Sequence, residues 1–144
     1  MAVAIALLIV SIAVPSVRGV MQEQELRESF DRFDGLARKA QARAIFERRA
    51  YALIWEKDGI VMEPYAPTEE DRQTESERLE FTGDETIEIE RPAALAKKPS
   101  AEWVFWRSGV CEPAIIHYEG AKGTWKVEYN PLSGRATFLD QTFK

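Results

Sequence analysis

The first seventeen residues, Met1-Ala-Val-Ala-Ile-Ala-Leu-Leu-Ile-Val-Ser-Ile-Ala-Val-Pro-Ser-Val17, carry no charged side chain and end at Arg18-Gly19. From about Met21 to Phe46 the chain is charged, helical in period and almost free of helix breakers. An apolar helix that runs on into a long amphipathic one reads as a membrane-anchored stalk. Seventeen helical residues span about 26 Å, slightly less than the roughly 30 Å of a hydrocarbon core. The membrane-facing positions of this reading are Ala2, Ile5, Leu8, Ile9 and Ile12, with Pro15 near the end of the run.

Two other readings stay open for the apolar run. A secretory signal peptide would place Val14 and Ser16 at the −3 and −1 cleavage positions, but no Lys or Arg precedes the run as a basic leader. A buried helix of a soluble domain fits poorly, because the run is apolar all round while the next segment has one narrow stripe. Pro15 removes a backbone donor and predicts a kink.

The stripe consists of Leu26, Phe30, Phe33, Ala37, Ala40 and Ala44, spaced 4, 3, 4, 3 and 4, which is one helix face. It begins bulky and ends small, so its lower half is expected to lie close against a sheet. Glu23–Arg27, Glu28–Arg32 and Asp34–Arg38 are acid-before-base pairs at i, i+4, each contributing a few tenths of a kcal/mol, about 0.3, to an exposed helix.

Beyond Phe46 the period changes from 3.6 to 2. Strands are predicted over Ala50–Lys57 and Ile60–Glu63, joined by an Asp58-Gly59 turn, and over Thr86–Arg91. Thr68–Glu80 reads as an exposed acidic loop with room for a short helix, and Pro92–Ser100 as a connection. Further strands follow at Glu102–Arg107, Ala114–Tyr118, Thr124–Tyr129 and Arg135–Asp140, separated by glycine and proline turns. Trp125, Val127 and Tyr129 share one face. The sum is an α+β chain with about seven strands: a long N-terminal helix, residues 1–46, packed on an antiparallel sheet or small β-sandwich of residues 47–144.

Charge is unevenly spread. Thr68 to Glu90 holds ten acidic and two basic residues, a local balance of −8 within a net charge of −5, which leaves the rest near +3. The acidic segment is a solvated loop or, through Glu69, Glu70 and Asp71, a partner contact. A weak Ca²⁺ site is the further reading of this segment, but it has no EF-hand pattern and no metal ligand is assigned. No basic patch interleaved with aromatics suggests nucleic acid.

No catalytic constellation is legible. His117, the single histidine, sits on an aromatic strand and is expected to be packed. There is no Gly-x-Ser-x-Gly elbow. Glu69 and Glu70 would act on a glycoside only across a cleft. The single cysteine, Cys111, reads as a small buried residue, and Trp55, Trp103, Trp106 and Trp125 as core and inter-sheet packing. Neither a cofactor nor a small-molecule substrate is expected.

Two regions resemble type IV pilin-like proteins. Ala2 to Pro15 looks like their apolar helix. Ala42-Arg-Ala-Ile45, Phe105-Trp-Arg-Ser-Gly109, Gly123-Thr-Trp125 and Asn130-Pro-Leu-Ser-Gly-Arg135 are similar to the minor pseudopilins of the H/FimT type, with Arg107 where that family has proline. The resemblance covers most of the chain outside Pro64–Ser100. It implies a pilin-like fold and a structural role in a type II secretion pseudopilus or type IV pilus-like filament. It also implies a single-pass inner-membrane anchor, a periplasmic C-terminal domain, and partners among other pilin or pseudopilin subunits and inner-membrane secretion proteins. The family's processing mark, Gly then Phe-Thr-Leu-x-Glu, would lie before the apolar run, so a start upstream of Met1 is expected and no methylation site is assigned. The alternative is a secreted or signal-anchored β-sandwich that binds a ligand.

Overall fold

The computed structural model of the chain describes residues 2–92 and 101–144, and side chains from residue 19 onward. Among the described residues a helix, α1, runs from Ala2 to Glu47 and is followed by eight strands and one short helix: β1 Tyr51–Glu56, β2 Gly59–Pro64, α2 Glu69–Gln73, β3 Glu77–Glu80, β4 Thr86–Glu90, β5 Glu102–Phe105, β6 Ala114–Gly120, β7 Gly123–Tyr129 and β8 Ala136–Phe143. The helix continues through Pro15 as a single element. The side chains of Ala2, Ile5, Leu8, Ile9, Ile12 and Pro15, and most of the Pro92–Ser100 connection, lie outside what is described.

The strands form two antiparallel four-stranded sheets, ordered β3-β2-β1-β5 and β4-β6-β7-β8. α1 lies across both, touching β1, β3 and β5 of the first and β7 and β8 of the second. The class is therefore α+β, with one long N-terminal helix packed on antiparallel sheets. Alternation sorts side chains in each strand. In β7, Trp125, Val127 and Tyr129 are buried while Thr124, Lys126 and Glu128 face outward. Trp103, Phe105, Leu53, Ile60 and Ile116 are among the other residues of the core. The indole Nε1 of Trp55 donates to the Ile87 carbonyl at 2.9 Å and ties the two sheets together.

Three local expectations are corrected. The β1–β2 hairpin turns at Lys57-Asp58, one residue before the expected Asp58-Gly59, because Glu56 pairs with Gly59. Gly59 serves a close approach instead: a Cβ there would run into the Leu79 carbonyl of β3. The acidic stretch is not only loop, since Glu77-Arg78-Leu79-Glu80 pairs with β2 as a strand. Trp106 is exposed rather than packed, and it leans on Tyr65 with ring centroids 5.8 Å apart.

α1 ends on an uncommon residue. Arg48 adopts φ 57, the left-handed position that glycine usually fills, and the Arg49 N–H returns to the Ala44 carbonyl at 3.2 Å. The Asn130–Gly134 turn closes on Gly134 at φ 67, where a side chain would strike the Gln41 amide.

Candidate functional site

The docked face of α1 is the most elaborated surface in the molecule. Leu26, Phe33, Ala37, Ala40 and Ala44 are buried. Phe30 is half-buried on the flank, edge-on to Trp125 at 5.4 Å and 4.7 Å from Phe138. Ser29 and Leu36 are also buried, although neither belongs to the 4-3-4 stripe read from the sequence. A helix lying between two sheets buries a face wider than one stripe, which accounts for both.

Phe33 is the centre of this face. Fully buried, it meets Trp55, Trp103, Trp125 and Tyr129 at centroid distances of 6.3, 6.2, 6.0 and 6.0 Å. These rings come from β1, β5 and β7, so one helical side chain joins both sheets. The small residues Ala37, Ala40 and Ala44 then bring the helix backbone close to the sheets beyond it.

Polar groups fix the helix in register. Trp125 donates its indole N–H to Ser29 Oγ at 2.9 Å, and Tyr129 donates its hydroxyl to Asp34 Oδ1 at 2.9 Å. Arg38 Nε holds the other Asp34 oxygen at 2.6 Å. Burial, with the Asp34 charge beside it, pushes the Tyr129 hydroxyl far above its ordinary pKa, so it remains a donor. Gln41 Nε2 donates to the carbonyls of both Gly109 and Ser133, at 2.9 and 3.0 Å, and so pins two turns to the helix.

The acidic segment supplies a second set of attachments. Arg32 leaves the expected partner Glu28 and bonds Glu85 at 2.7 Å, and Tyr118 donates to the same Glu85 oxygen at 2.8 Å. Lys39 and Arg43 both reach Glu77 at 3.1 Å. Arg49 grips Asp71 through two bonds of 2.7 and 2.9 Å. Asp71 also accepts from the N–H of Thr68, the N-cap of α2, at 2.8 Å, closing a capping box. These contacts hold its carboxyl far below the usual carboxylate range, the Arg49 bond being the largest cause.

The three acidic residues read as one partner loop are therefore unlike one another. Asp71 is committed to the fold. Glu69 pairs with Arg72 at 3.0 Å, and Glu70 is exposed. The sequence signal for this clasp was present in the −8 segment of a chain whose remainder is near +3, but pairing partners cannot be read from net charge.

The remaining candidates have plain positions. His117 is on the outer face of β6, half-buried, with Nε2 2.7 Å from Glu90 Oε2, and is not packed in the core as expected. That bond lowers the Glu90 pKa. Cys111 is buried, and burial pushes its thiol up to about 11. Among the described residues no three His, Cys, Asp or Glu side chains stand together as a metal centre. Among them, too, no helix is long and apolar enough to cross a membrane, and residues 1–17 fall outside the described side chains. Compared with known proteins, the chain matches no protein-family model, no curated protein and no solved structure.

Proposed function

We propose that the chain is a pilin-like structural subunit, most like a minor pseudopilin of a type II secretion system, which works by assembly and not by catalysis. In this reading the uncharged residues 1–17 hold the subunit in the bacterial inner membrane, and the β-domain lies in the periplasm. The partners are other pilin or pseudopilin subunits and inner-membrane proteins of the secretion apparatus. The apolar helix would pass from lipid into a filament core of neighbouring helices, an exchange between two apolar surroundings in which packing selects the filament.

The observation that carries the reading is the division of labour along one continuous helix. Residues 2–17 of it are uncharged in sequence, and among the side chains described, from residue 19 onward, burial begins at Leu26 and is spent on the β-domain. A secreted ligand-binding β-domain would have a dispensable helix and a cavity between its sheets. Here that space is filled by Phe33 and the four rings around it.

The test is expression of the full chain in a Gram-negative host, followed by fractionation and protease treatment of spheroplasts. The expected result is an inner-membrane protein that resists carbonate extraction and whose β-domain is cut from the periplasmic side. Ile9→Arg should release it from the membrane. A carbonate-soluble or secreted wild-type chain would refute the anchor.

A further inference from the structure

We propose that residues 67–80 are an autoinhibitory strap, covering a surface of α1 and β2 that takes an acidic, extended segment of a partner protein. The strap contains α2 and β3, and Leu79 is its one buried side chain. No residue of α2 is buried. Its polar bonds run largely within the strap, from Thr68 to Asp71, Arg72 to Glu69 and Thr74 to Glu70. A cleft of about 470 Å³ separates α2 from the domain, with Arg43, Arg49, Tyr51 and Met62 on one side and Asp71 and Thr74 on the other. The short helix therefore spans a gap and is not packed down.

Charge and one short ladder hold the strap in place. Arg49 grips Asp71, Lys39 and Arg43 share Glu77, and Arg78 reaches Glu56 of β1 at 3.3 Å. All four pairs are partly exposed, where an ion pair contributes little and salt screens it. The ladder is the four residues of β3 on β2. Both ends of the strap are tied by backbone: the Tyr65 N–H donates to the Ala50 carbonyl and the Phe81 N–H to the Asp58 carbonyl, each at 2.9 Å. A segment with so few buried apolar contacts between two fixed ends opens locally while the rest of the domain stays folded.

The strap itself shows what its surface recognises. Glu77 pairs with Met62 and Leu79 with Ile60, so an extended chain on the β2 edge sets an acid and an apolar residue two positions apart on one face. The acid meets Lys39 and Arg43, and the apolar side chain enters the core. Arg49 takes a further carboxylate across the cleft. With the strap lifted, these three cations and the uncovered β2 edge form a template for strand addition by an acidic chain. A basic chain would meet like charge there. A second copy's strap is tied at both ends to its own domain, so exchange between copies would require two crossings of the chain, which favours a separate partner.

The test uses the full chain in dodecyl maltoside. In amide exchange read by mass spectrometry, residues 69–80 should open about tenfold more often than β6 and β7. Raising sodium chloride from about 0.05 M to about 1 M should speed the strap about fivefold and leave β6 and β7 unchanged. A fluorescein-labelled peptide of residues 68–80 is then followed by anisotropy. It should bind the Asp71→Asn, Glu77→Gln double variant, whose strap is loosened, about tenfold more tightly than wild type, and a scrambled peptide should bind neither. Unchanged protection of β6 and β7 shows that the variant is folded. Equal opening of strap and core would overturn the proposal, as would equal peptide binding by the two proteins. Equal binding of the scrambled peptide would overturn it as charge attraction alone. A dimer of the variant in sedimentation would overturn it too, because the occupant would then be a second copy. Membrane location enters none of these readouts, so their failure is separate from failure of the anchor.

Discussion

Phe33→Ala tests whether α1 is a working part of the domain. Removing a fully buried phenylalanine typically costs about 3–5 kcal/mol, the spread reflecting how far the cavity can collapse. Collapse is hindered here, since the four surrounding rings belong to β1, β5 and β7 and are anchored by their own strands. The Trp125 indole is further tied to Ser29 and the Tyr129 hydroxyl to Asp34. A loss of about 4 kcal/mol is therefore expected. For a chain of this size each kcal/mol lowers Tm by about 2–4 °C, so the fall should be about 8–16 °C. Phe30→Ala, on the half-buried flank, is the internal reference and should cost about 1–2 kcal/mol. Urea unfolding followed by tryptophan fluorescence in detergent reads both variants, because three indoles border Phe33. A Phe33→Ala loss below about 1 kcal/mol, or no larger than that of Phe30→Ala, would refute a docked helix.

Three further outcomes are expected. Ala40→Trp forces a large ring into a fully buried position on the docked face and should destabilise by about 1–3 kcal/mol in the same unfolding assay. Arg48→Gly relieves a left-handed residue at the end of α1 and should stabilise by about 0.5–1 kcal/mol; a loss would show that the Arg48 side chain contributes more than its backbone costs. Asp71→Asn should destabilise at neutral pH. Because the folded pKa of Asp71 lies below its unfolded value, the wild-type advantage is fully present above the ordinary aspartate range and is lost as pH falls through the folded pKa. The difference between wild type and variant should thus be constant above about pH 5 and shrink below about pH 4. A difference that shrinks instead near pH 7 would point to another group.

Residues whose role is set by local periodicity were legible in the sequence. The helix through Phe46, the inward set of β7 and the bulky-to-small stripe on α1 follow from spacing alone. What escaped depended on tertiary context. β3 was hidden because Leu79 is the only apolar residue in Glu77–Glu80, and its strand state comes from pairing with β2. Ser29 reads as polar surface until Trp125, ninety-six residues later, supplies a donor. The hairpin turns one residue earlier than Asp58-Gly59 because Gly59 belongs to β2, where the chain passes the Leu79 carbonyl too closely for a side chain. Arg32 had two acidic partners within reach, and only the folded chain chose Glu85 over Glu28.

The attachments of α1 also define how the molecule bears force. From Ser29 to Gln41, about 18 Å of helix, α1 is tied to the rest of the domain at five residues: Trp125 to Ser29, Glu85 to Arg32, Tyr129 to Asp34, Glu77 to Lys39, and Gln41 to two turns. A pull along the axis loads them together in shear, with Phe33 wedged among four rings as a stop. A sideways pull at Glu47 would open them one at a time, like a zip. A molecule drawn by its N-terminal segment would therefore carry its β-domain as a rigid load.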